Sequence, residues 1–223
     1  MYPDSFTEGH RARLRRRYLR GGAESLLSYE VLELILMYAV PRKDVKPLAK
    51  TLIQHFGSFR NVLNAAPEEL ERVSGIGQSS AILISLFKPV CLMYLRETLE
   101  KTPAKLSGEN LREYLCMLFD RSNREMCAVL LYDSAGKLIT AKVWDGVESC
   151  VQLPMQDVVL YAISNKANMV VLAHNHPSGN LEFSANDINA TEQLFSALNI
   201  FDVVLYDHIL VCGNKLHSWR NGD

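Results

Sequence analysis

At 223 residues the chain can form one large or two small domains, and its 48% hydrophobic and 22% charged residues are ordinary for a soluble globular protein. Its five cysteines are scattered and form no Cys-x-x-Cys pair, which argues against a disulfide framework or a cysteine zinc site. The N-terminus lacks the apolar core of a signal peptide and no run approaches a membrane span, so we expect a cytoplasmic protein without membrane contact.

The charge of the chain is divided unevenly between its two halves. Residues 1–106 carry 16 Lys and Arg against 11 Asp and Glu, a net charge of +5. Residues 107–223 carry 8 against 14, a net charge of −6. This asymmetry predicts two domains with different partners, although a chance imbalance would produce the same numbers.

The first feature along the chain is a cluster of six arginines between Arg11 and Arg20. Guanidinium groups match phosphate oxygens bidentately, so the cluster is a candidate contact for nucleic acid. A solvated face of a helix explains the same pattern equally well. The cluster alone therefore leaves both interpretations open.

The segments that follow have helical spacing. Ser28 is a candidate N-cap for a helix over 29–40, and Asp44 for a second helix that ends at Gly57. Shorter helices are predicted near 61–65 and from Pro67 to Val73, where a proline and acidic residues suit a helix N-terminus. The front half is therefore predicted to be all-α.

Gly75-Ile76-Gly77 lies between two of these predicted helices. The glycines allow a tight turn, and Ile76 can insert between the helices. The segment resembles a helix-hairpin-helix motif, whose main-chain amides grip phosphate without reading bases. A turn used only for packing is the alternative, and Gln78 and the two serines after it stand where such motifs often carry Lys or Arg.

The back half mixes strands and helices. A long helix from Gln78 to Leu95 leads to a predicted linker over 98–105, and Ser107 is a candidate cap for a helix that reaches Phe119. Strands are then predicted over 125–133, 137–144, 147–153, 169–174, 203–212 and 215–219, with helices over 154–166 and 184–199. Turns at 134–136 and 145–146 join the first three strands as hairpins, which gives an α/β pattern.

The most informative stretch is His174-Asn175-His176-Pro177-Ser178-Gly179, followed by Ser184 and Asp187. In a strand, residues two apart point to the same face, so both imidazoles can aim at one point. Asp187, in the first turn of the next helix, can reach that point from the other side. Two histidines and one carboxylate give Zn²⁺ three protein ligands and leave one position for water, which is the catalytic arrangement.

Each part of this pattern also has an ordinary explanation. A histidine at the end of an apolar strand is usually a packing or surface residue. Ser184 and Asp187 form the pattern of a capping box, which needs no metal. The long and specific combination of His-x-His, seven residues, Ser, two residues and Asp favours the metal site.

These residues resemble the JAMM signature of the JAB/MPN+ metalloproteases. The form His-Asn-His-Pro-Ser-Gly, with Thr191 downstream and Asp207-His208-Ile209 on a later strand, is similar to the bacterial RadC branch, whose members are named as DNA repair proteins. The resemblance extends to the front half through the segment 21–28 and the hairpin at Gly75. It implies a helix-hairpin-helix-like domain over 1–100 and a JAB/MPN domain, cytidine-deaminase-like with a mixed sheet, over 107–223.

The resemblance also implies roles for individual residues. His174, His176 and Asp187 would hold Zn²⁺, whose bound water becomes acidic near neutral pH. Ser184 would stabilise the oxyanion of a tetrahedral intermediate, and Glu125 would be the general base. Glu148 and Glu182 are rivals for the base, and a solvated carboxylate is the ordinary alternative for Glu125.

Two neighbours of the predicted ligands have less certain roles. His208 would either orient a ligand or pack against the sheet. Asn175 alternates to the opposite face of the strand and is expected to be structural.

Two functions follow from these observations. The first is a zinc metallohydrolase, a peptidase or isopeptidase acting on an unidentified polypeptide, and a one-zinc nuclease is a weaker variant of it. The second is a DNA-binding repair module with a structural or dormant metal site, which would use Arg11–Arg20 and Gly75–Gly77. A combination of both, with the front domain docking and the back domain trimming a nearby polypeptide, is the third reading.

Overall fold

The computed structural model describes residues 9–101, 108–120, 122, 124–144 and 154–220. The chain divides into two compact units, Met1–Val90 and Cys91–Asp223. The sequence-based division into 1–100 and 107–223 has its boundary further along the chain.

The first unit is helical in its described part, as predicted. Its helices are α1 (His10–Gly21), α2 (Ser28–Ala39), α3 (Lys46–Phe56), α4 (Phe59–Asn64), α5 (Pro67–Glu71), α6 (Gln78–Ser85) and the beginning of α7 (Phe87–Lys101). One apolar core joins them, and its most deeply buried side chains include Leu14, Leu32, Leu36, Leu52 and Ile84.

Several predicted helix ends are wrong by a few residues. Ser28 is the first residue of α2 and not its cap. Leu27 occupies the cap position, and its main-chain nitrogen donates to Glu30 Oε2 at 2.9 Å. Asp44 lies one residue before the cap position of α3. The helix expected from Gln78 to Leu95 is divided into α6 and α7. Because α7 continues to Lys101, the first part of the predicted linker is also helical.

The hairpin at Gly75 has the predicted form. Gly75 has a φ of 96°, which favours glycine, and a Cβ atom there would lie 3.3 Å from the Leu48 side chain. The side chain of Ile76 is buried in the core of the first unit. The turn between α5 and α6 is therefore closed by Ile76, as the sequence pattern indicates.

The second unit contains a mixed sheet with the strand order β2-β1-β3-β4-β5 among the described residues. Only β3 and β4 are parallel, and the other neighbouring strands are antiparallel. The strands are β1 (Cys127–Tyr132), β2 (Leu138–Trp144), β3 (Met169–Asn175), β4 (Val204–Cys212) and β5 (Lys215–Ser218). The predicted strand over 147–153, the turn at 145–146 and the cap at Ser107 lie outside the described residues.

Helices cover both faces of this sheet. Helices α9 (Met155–Ser164) and α10 (Ala185–Asn199) pack on one face through Val158, Leu194 and Leu198. Helix α8 (Glu109–Leu118) and Leu99 pack on the other. The parallel pair β3 and β4 is joined through α10, as a parallel connection requires. This architecture confirms the predicted α/β class.

A β-bulge in β4 decides which side chains face α10. Val170 pairs with Leu205, but the next residue of β3, Val171, pairs with Asp207, so Tyr206 is the extra residue. After the bulge, His208 pairs with Leu172 and shares its face of the sheet. Regular alternation from Leu205 would have placed Asp207 there instead.

Two expectations from composition do not hold in full. The helical stretch Gln78–Lys101 has, by length and composition alone, the properties of a membrane span, although core helices of soluble proteins pass the same test. Cys91 and Cys212 are free thiols, whereas Cys127 is disulfide-bonded, which the scattered spacing of the five cysteines does not predict.

Candidate metal centre

The two histidines of the motif lie at the carboxyl end of β3. His174 belongs to the strand and is 1% exposed, and the main-chain nitrogen of His176 continues the alignment by donating to Val211 O at 3.2 Å. The alternation of the strand therefore brings both rings to the face that α10 covers. Their Nε2 atoms are 3.1 Å apart.

Asp187 reaches the same point from the first turn of α10. Ser184 is the N-cap of this helix, and its Oγ accepts a hydrogen bond from the Asp187 main-chain nitrogen at 3.1 Å. The Asp187 carboxylate atom Oδ2 in turn accepts from the Ser184 nitrogen at 2.9 Å and from its hydroxyl at 2.6 Å. This capping box orients the carboxylate so that Oδ1 lies 3.6 Å from His174 Nε2.

The three side chains fit a zinc ion. Their ligand atoms all lie within 4.8 Å of one another. Among the described residues, these three side chains form the group that could hold a metal ion. A tetrahedral zinc with bonds of about 2.0–2.2 Å holds its ligand atoms about 3.3 Å apart. The separations of 3.1 Å and 3.6 Å are close to that value. Imidazole nitrogen and carboxylate oxygen are also the donors that catalytic zinc uses.

The electrostatics of the site favour an ionised carboxylate. Burial by itself would raise the pKa of Asp187, but the neighbouring His174 ring and the Ser184 hydrogen bonds more than offset it and hold that pKa well below its usual range. A carboxylate ligand must be deprotonated, so Asp187 is prepared to bind a cation at neutral pH.

A second layer of side chains supports the first. His208 Nε2 lies 2.7 Å from His174 Nδ1, and the Phe183 ring packs against both imidazoles with centroids 5.8 Å and 4.9 Å away. Burial lowers the pKa of His208 well below its ordinary value, which disfavours the charged form of this ring. The sequence left His208 open between orienting a ligand and packing against the sheet. Alternation along β4 without the bulge would turn it away from the site.

Glu125, the predicted base, lies just before β1. Cys127 pairs with His174 at the end of the antiparallel register, and two more residues of the same register would bring Glu125 opposite His176. The residue is half-buried. Glu125 is not one of the three converging ligands, and its role as a base stays a prediction. Of its rivals, Glu182 is exposed and Glu148 lies outside the described residues.

Asn175 holds the segment that carries Glu125. Its Oδ1 accepts a hydrogen bond from the Met126 nitrogen at 2.8 Å, and its Nδ2 donates to Arg124 O at 3.1 Å. The two residues that flank Glu125 are thus attached to the residue between the two histidines. The structural role expected for Asn175 is therefore tied to the site.

Ser184 acts as a helix cap in this structure. Its hydroxyl proton is directed to the Asp187 carboxylate, and the side chain is otherwise exposed. Its proposed contact with an oxyanion stays a prediction.

A cleft of about 570 Å³ is lined in part by His176. Its lining includes Asn175, His176, Pro177, Val211 and Cys212. His174 and Asp187 are not among its lining residues, and Val211 belongs to the core on the α8 side of the sheet.

Two of the arginines predicted to bind phosphate have contacts within the first unit. Arg11 donates to Met37 O at 3.1 Å and to Val40 O at 2.7 Å, which satisfies carbonyls at the end of α2. Arg17 pairs with the Glu30 carboxylate at 2.7 Å and 3.0 Å. These two side chains serve packing, and nucleic-acid contact through this segment or the Gly75–Gly77 hairpin stays a prediction.

Two family descriptions match the chain. Residues 106–223 match the RadC-like JAB domain and residues 9–82 match the UPF0758 N-terminal domain. A UPF0758 protein of Rhodobacter capsulatus is 35% identical over 93% of this chain and 97% of its own length. A UPF0758 protein of Ruegeria pomeroyi is 32% identical, over 97% of each of the two chains. A UPF0758 protein of Fusobacterium nucleatum is 30% identical, over 95% of each. The domain match over more than half of the chain and these full-length relatives establish that it belongs to the RadC family, the UPF0758 proteins.

Proposed function

We propose that this chain is a zinc-dependent hydrolase that cleaves a peptide or isopeptide bond. The observation that carries the proposal is the convergence of His174, His176 and Asp187 within 4.8 Å at the end of β3. Membership of a family with a JAB domain supports it, because JAB domains include metalloproteases.

The described side chains supply what such a reaction needs. Bound zinc would polarise the substrate carbonyl and lower the pKa of water. His174, His176 and Asp187 would hold the ion from one side and leave the fourth position open. Glu125, which lies just before β1, would take the proton of the attacking water and pass it to the leaving amine.

The arrangement favours amide hydrolysis over phosphodiester cleavage. Two-metal nucleases hold their ions about 3.5–4 Å apart with a larger set of carboxylates. Among the residues that the structure describes, a single group of three candidate ligands is present.

The primary test is zinc stoichiometry. Protein purified without added metal should contain one zinc per chain by mass spectrometry, and the His174→Ala and Asp187→Ala variants should lose it. His55→Ala, which changes an exposed histidine of the first unit, is the matched control and should keep it. Absence of zinc from the unaltered protein, also after reconstitution, would refute the proposal.

A second test separates the metal from the chemistry. The zinc-loaded protein is incubated with a library of quenched fluorescent peptides and with a lysine-linked isopeptide. We expect turnover that Glu125→Gln abolishes while zinc remains bound. Zinc retained without turnover of any probe would instead support a structural or dormant site.

A further inference from the structure

A continuous chain of buried contacts joins two of the proposed ligands on the side away from the ion. His174 Nδ1 lies 2.7 Å from His208 Nε2, and His208 Nδ1 lies 2.6 Å from Thr191 Oγ1. Thr191 Oγ1 lies 2.5 Å from the main-chain oxygen of Asp187. All four residues are buried, between 0% and 2% exposed, so water does not interrupt the chain.

The direction of these hydrogen bonds follows from the last bond of the chain, between the Thr191 hydroxyl and the main-chain oxygen of Asp187. A carbonyl oxygen only accepts, so the single proton of the Thr191 hydroxyl must lie between its oxygen and Asp187 O. Without that proton, two oxygens would face each other at 2.5 Å. The hydroxyl oxygen is then an acceptor toward His208, and the proton between them belongs to His208 Nδ1.

The assignment continues to the metal ligand. A second proton on His208 would bury an imidazolium that has no carboxylate beside its ring nitrogens, because these face His174 and Thr191. The adjacent carboxylate, Asp207, accepts instead from the main-chain nitrogen of His208 at 2.8 Å. A neutral His208 carries no proton on Nε2, so that atom accepts from His174 Nδ1. His174 therefore has its lone pair on Nε2, the atom directed at His176 and Asp187.

We propose that Thr191 and His208 are positioning residues, which fix the tautomer of His174 so that Nε2 is free to bind a metal. The proposal deepens the proposed function and rests on its metal site. Zinc-bound histidines usually donate their second nitrogen to a carboxylate, carbonyl or water. Here a neutral histidine takes that place, and its own tautomer depends on one threonine hydroxyl.

The direct test needs no metal and no substrate. The metal-free protein is labelled with ¹⁵N in its histidine rings, and the tautomer of each of the six histidines is read from long-range ¹H–¹⁵N correlations at alkaline pH. Single substitutions assign the signals. We expect His174 to be protonated on Nδ1 and His208 also on Nδ1. A His174 ring protonated on Nε2 overturns the proposal, whatever the variants do.

The second test removes the hydroxyl that sets the direction. In Thr191→Val, His208 Nδ1 has no acceptor, so we expect its proton to move to Nε2 and His174 to take the opposite tautomer. Zinc affinity, measured by competition with a chelator, should fall about 10- to 100-fold. Thr191→Ser restores a hydroxyl and should recover both properties. An unchanged tautomer and affinity in a folded Thr191→Val protein would contradict the proposal.

A control of the same size tests for a general effect on stability. Thr140 lies in β2 of the same unit, and its side-chain oxygen accepts a hydrogen bond from the Tyr161 hydroxyl at 3.0 Å. Thr140→Val should leave the His174 tautomer and the zinc affinity unchanged. If the unaltered protein binds no zinc, the proposed function fails, whereas the tautomer measurement still decides the role of Thr191 and His208.

Discussion

Asn175 Oδ1 accepts a hydrogen bond from the main-chain nitrogen of Met126 at 2.8 Å, which attaches the residue between the two histidines to the residue after Glu125. The proposed base lies just before β1, whereas the two histidine ligands lie at the end of β3. This contact, together with the bond from Asn175 Nδ2 to Arg124 O, fixes their relative position.

Asn175→Ala should release the Glu125 segment without removing a ligand. The loss of two buried hydrogen bonds should lower the free energy of unfolding by about 1–3 kcal/mol. Hydrogen exchange at the Met126 amide should become faster, while one zinc per chain is retained. Asn165→Ala, which removes a bond to Tyr161 O at the end of α9, is the control and should leave Met126 protected. Unchanged exchange at Met126 would show that Asn175 does not hold the segment.

Ser184→Ala should weaken both the helix and the metal site. The N-cap bond to the Asp187 amide is worth about 0.5–2 kcal/mol, and the same hydroxyl orients the Asp187 carboxylate. We expect a lower melting temperature and weaker zinc binding, both recovered in Ser184→Thr. Ser58, the N-cap of α4, offers the comparison, since Ser58→Ala should lower the stability of the first unit and leave zinc affinity intact. Equal zinc affinity in Ser184→Ala and the unaltered protein would argue against this orienting role.

Zinc should stabilise the second unit by an amount that rises with the logarithm of its concentration above the dissociation constant. A ligand that binds only the folded state adds about 2.7 kcal/mol at 100 times its dissociation constant. Both tryptophans, Trp144 and Trp219, belong to the second unit, so their fluorescence follows its unfolding. A chelator should lower the unfolding midpoint, and added zinc should restore it. In His176→Ala the midpoint should no longer respond to either, and a persistent response would place the zinc elsewhere.

The ion pair of Arg17 and Glu30 should make the first unit sensitive to acid. The hydrogen bond from Arg17 is the main cause that lowers the pKa of Glu30 below its ordinary value of 4.5, against the opposing effect of burial. A carboxyl with a lowered pKa contributes stability that is present above its unfolded value and is lost as the pH falls through its folded value. Since Arg17 is half exposed, screening by solvent reduces this contribution.

Glu30→Gln should therefore lower the melting temperature at pH 7 and reduce the loss of stability below about pH 4.5. Far-UV circular dichroism follows the helices, and tryptophan fluorescence of the second unit should be unaffected. Glu97→Gln breaks an exposed pair with Lys101 and should have little effect on either signal. A Glu30→Gln protein with the same acid sensitivity as the original would mean that other carboxyls determine it.

Much of the ligand set was predictable because it depends on local geometry. His174 and His176 share a face since a strand alternates with a period of two, and Ser184 and Asp187 form a capping box within four consecutive residues. Ile76 closes the hairpin at Gly75 for the same reason, since the turn and its plug are neighbours in the chain.

The supporting residues were not predictable because they depend on contacts between distant segments. Arg11 binds carbonyls at the end of α2 instead of standing free, and this follows from how α1 packs on α2. Asn175 reaches back to Met126 only because β1 and β3 pair in one particular register.

The sequence by itself determined the metal-ligand pattern, the helical front half and the mixed α/β back half, since each follows from periodicity, spacing or capping within short segments. The tertiary structure alone decided that His208 faces the site, because one extra residue at Tyr206 reverses the alternation of β4. That bulge lets Thr191 of α10 and His208 of β4 meet behind His174. Alternation along a single strand carries no information about a register shift, which depends on pairing with a neighbouring strand.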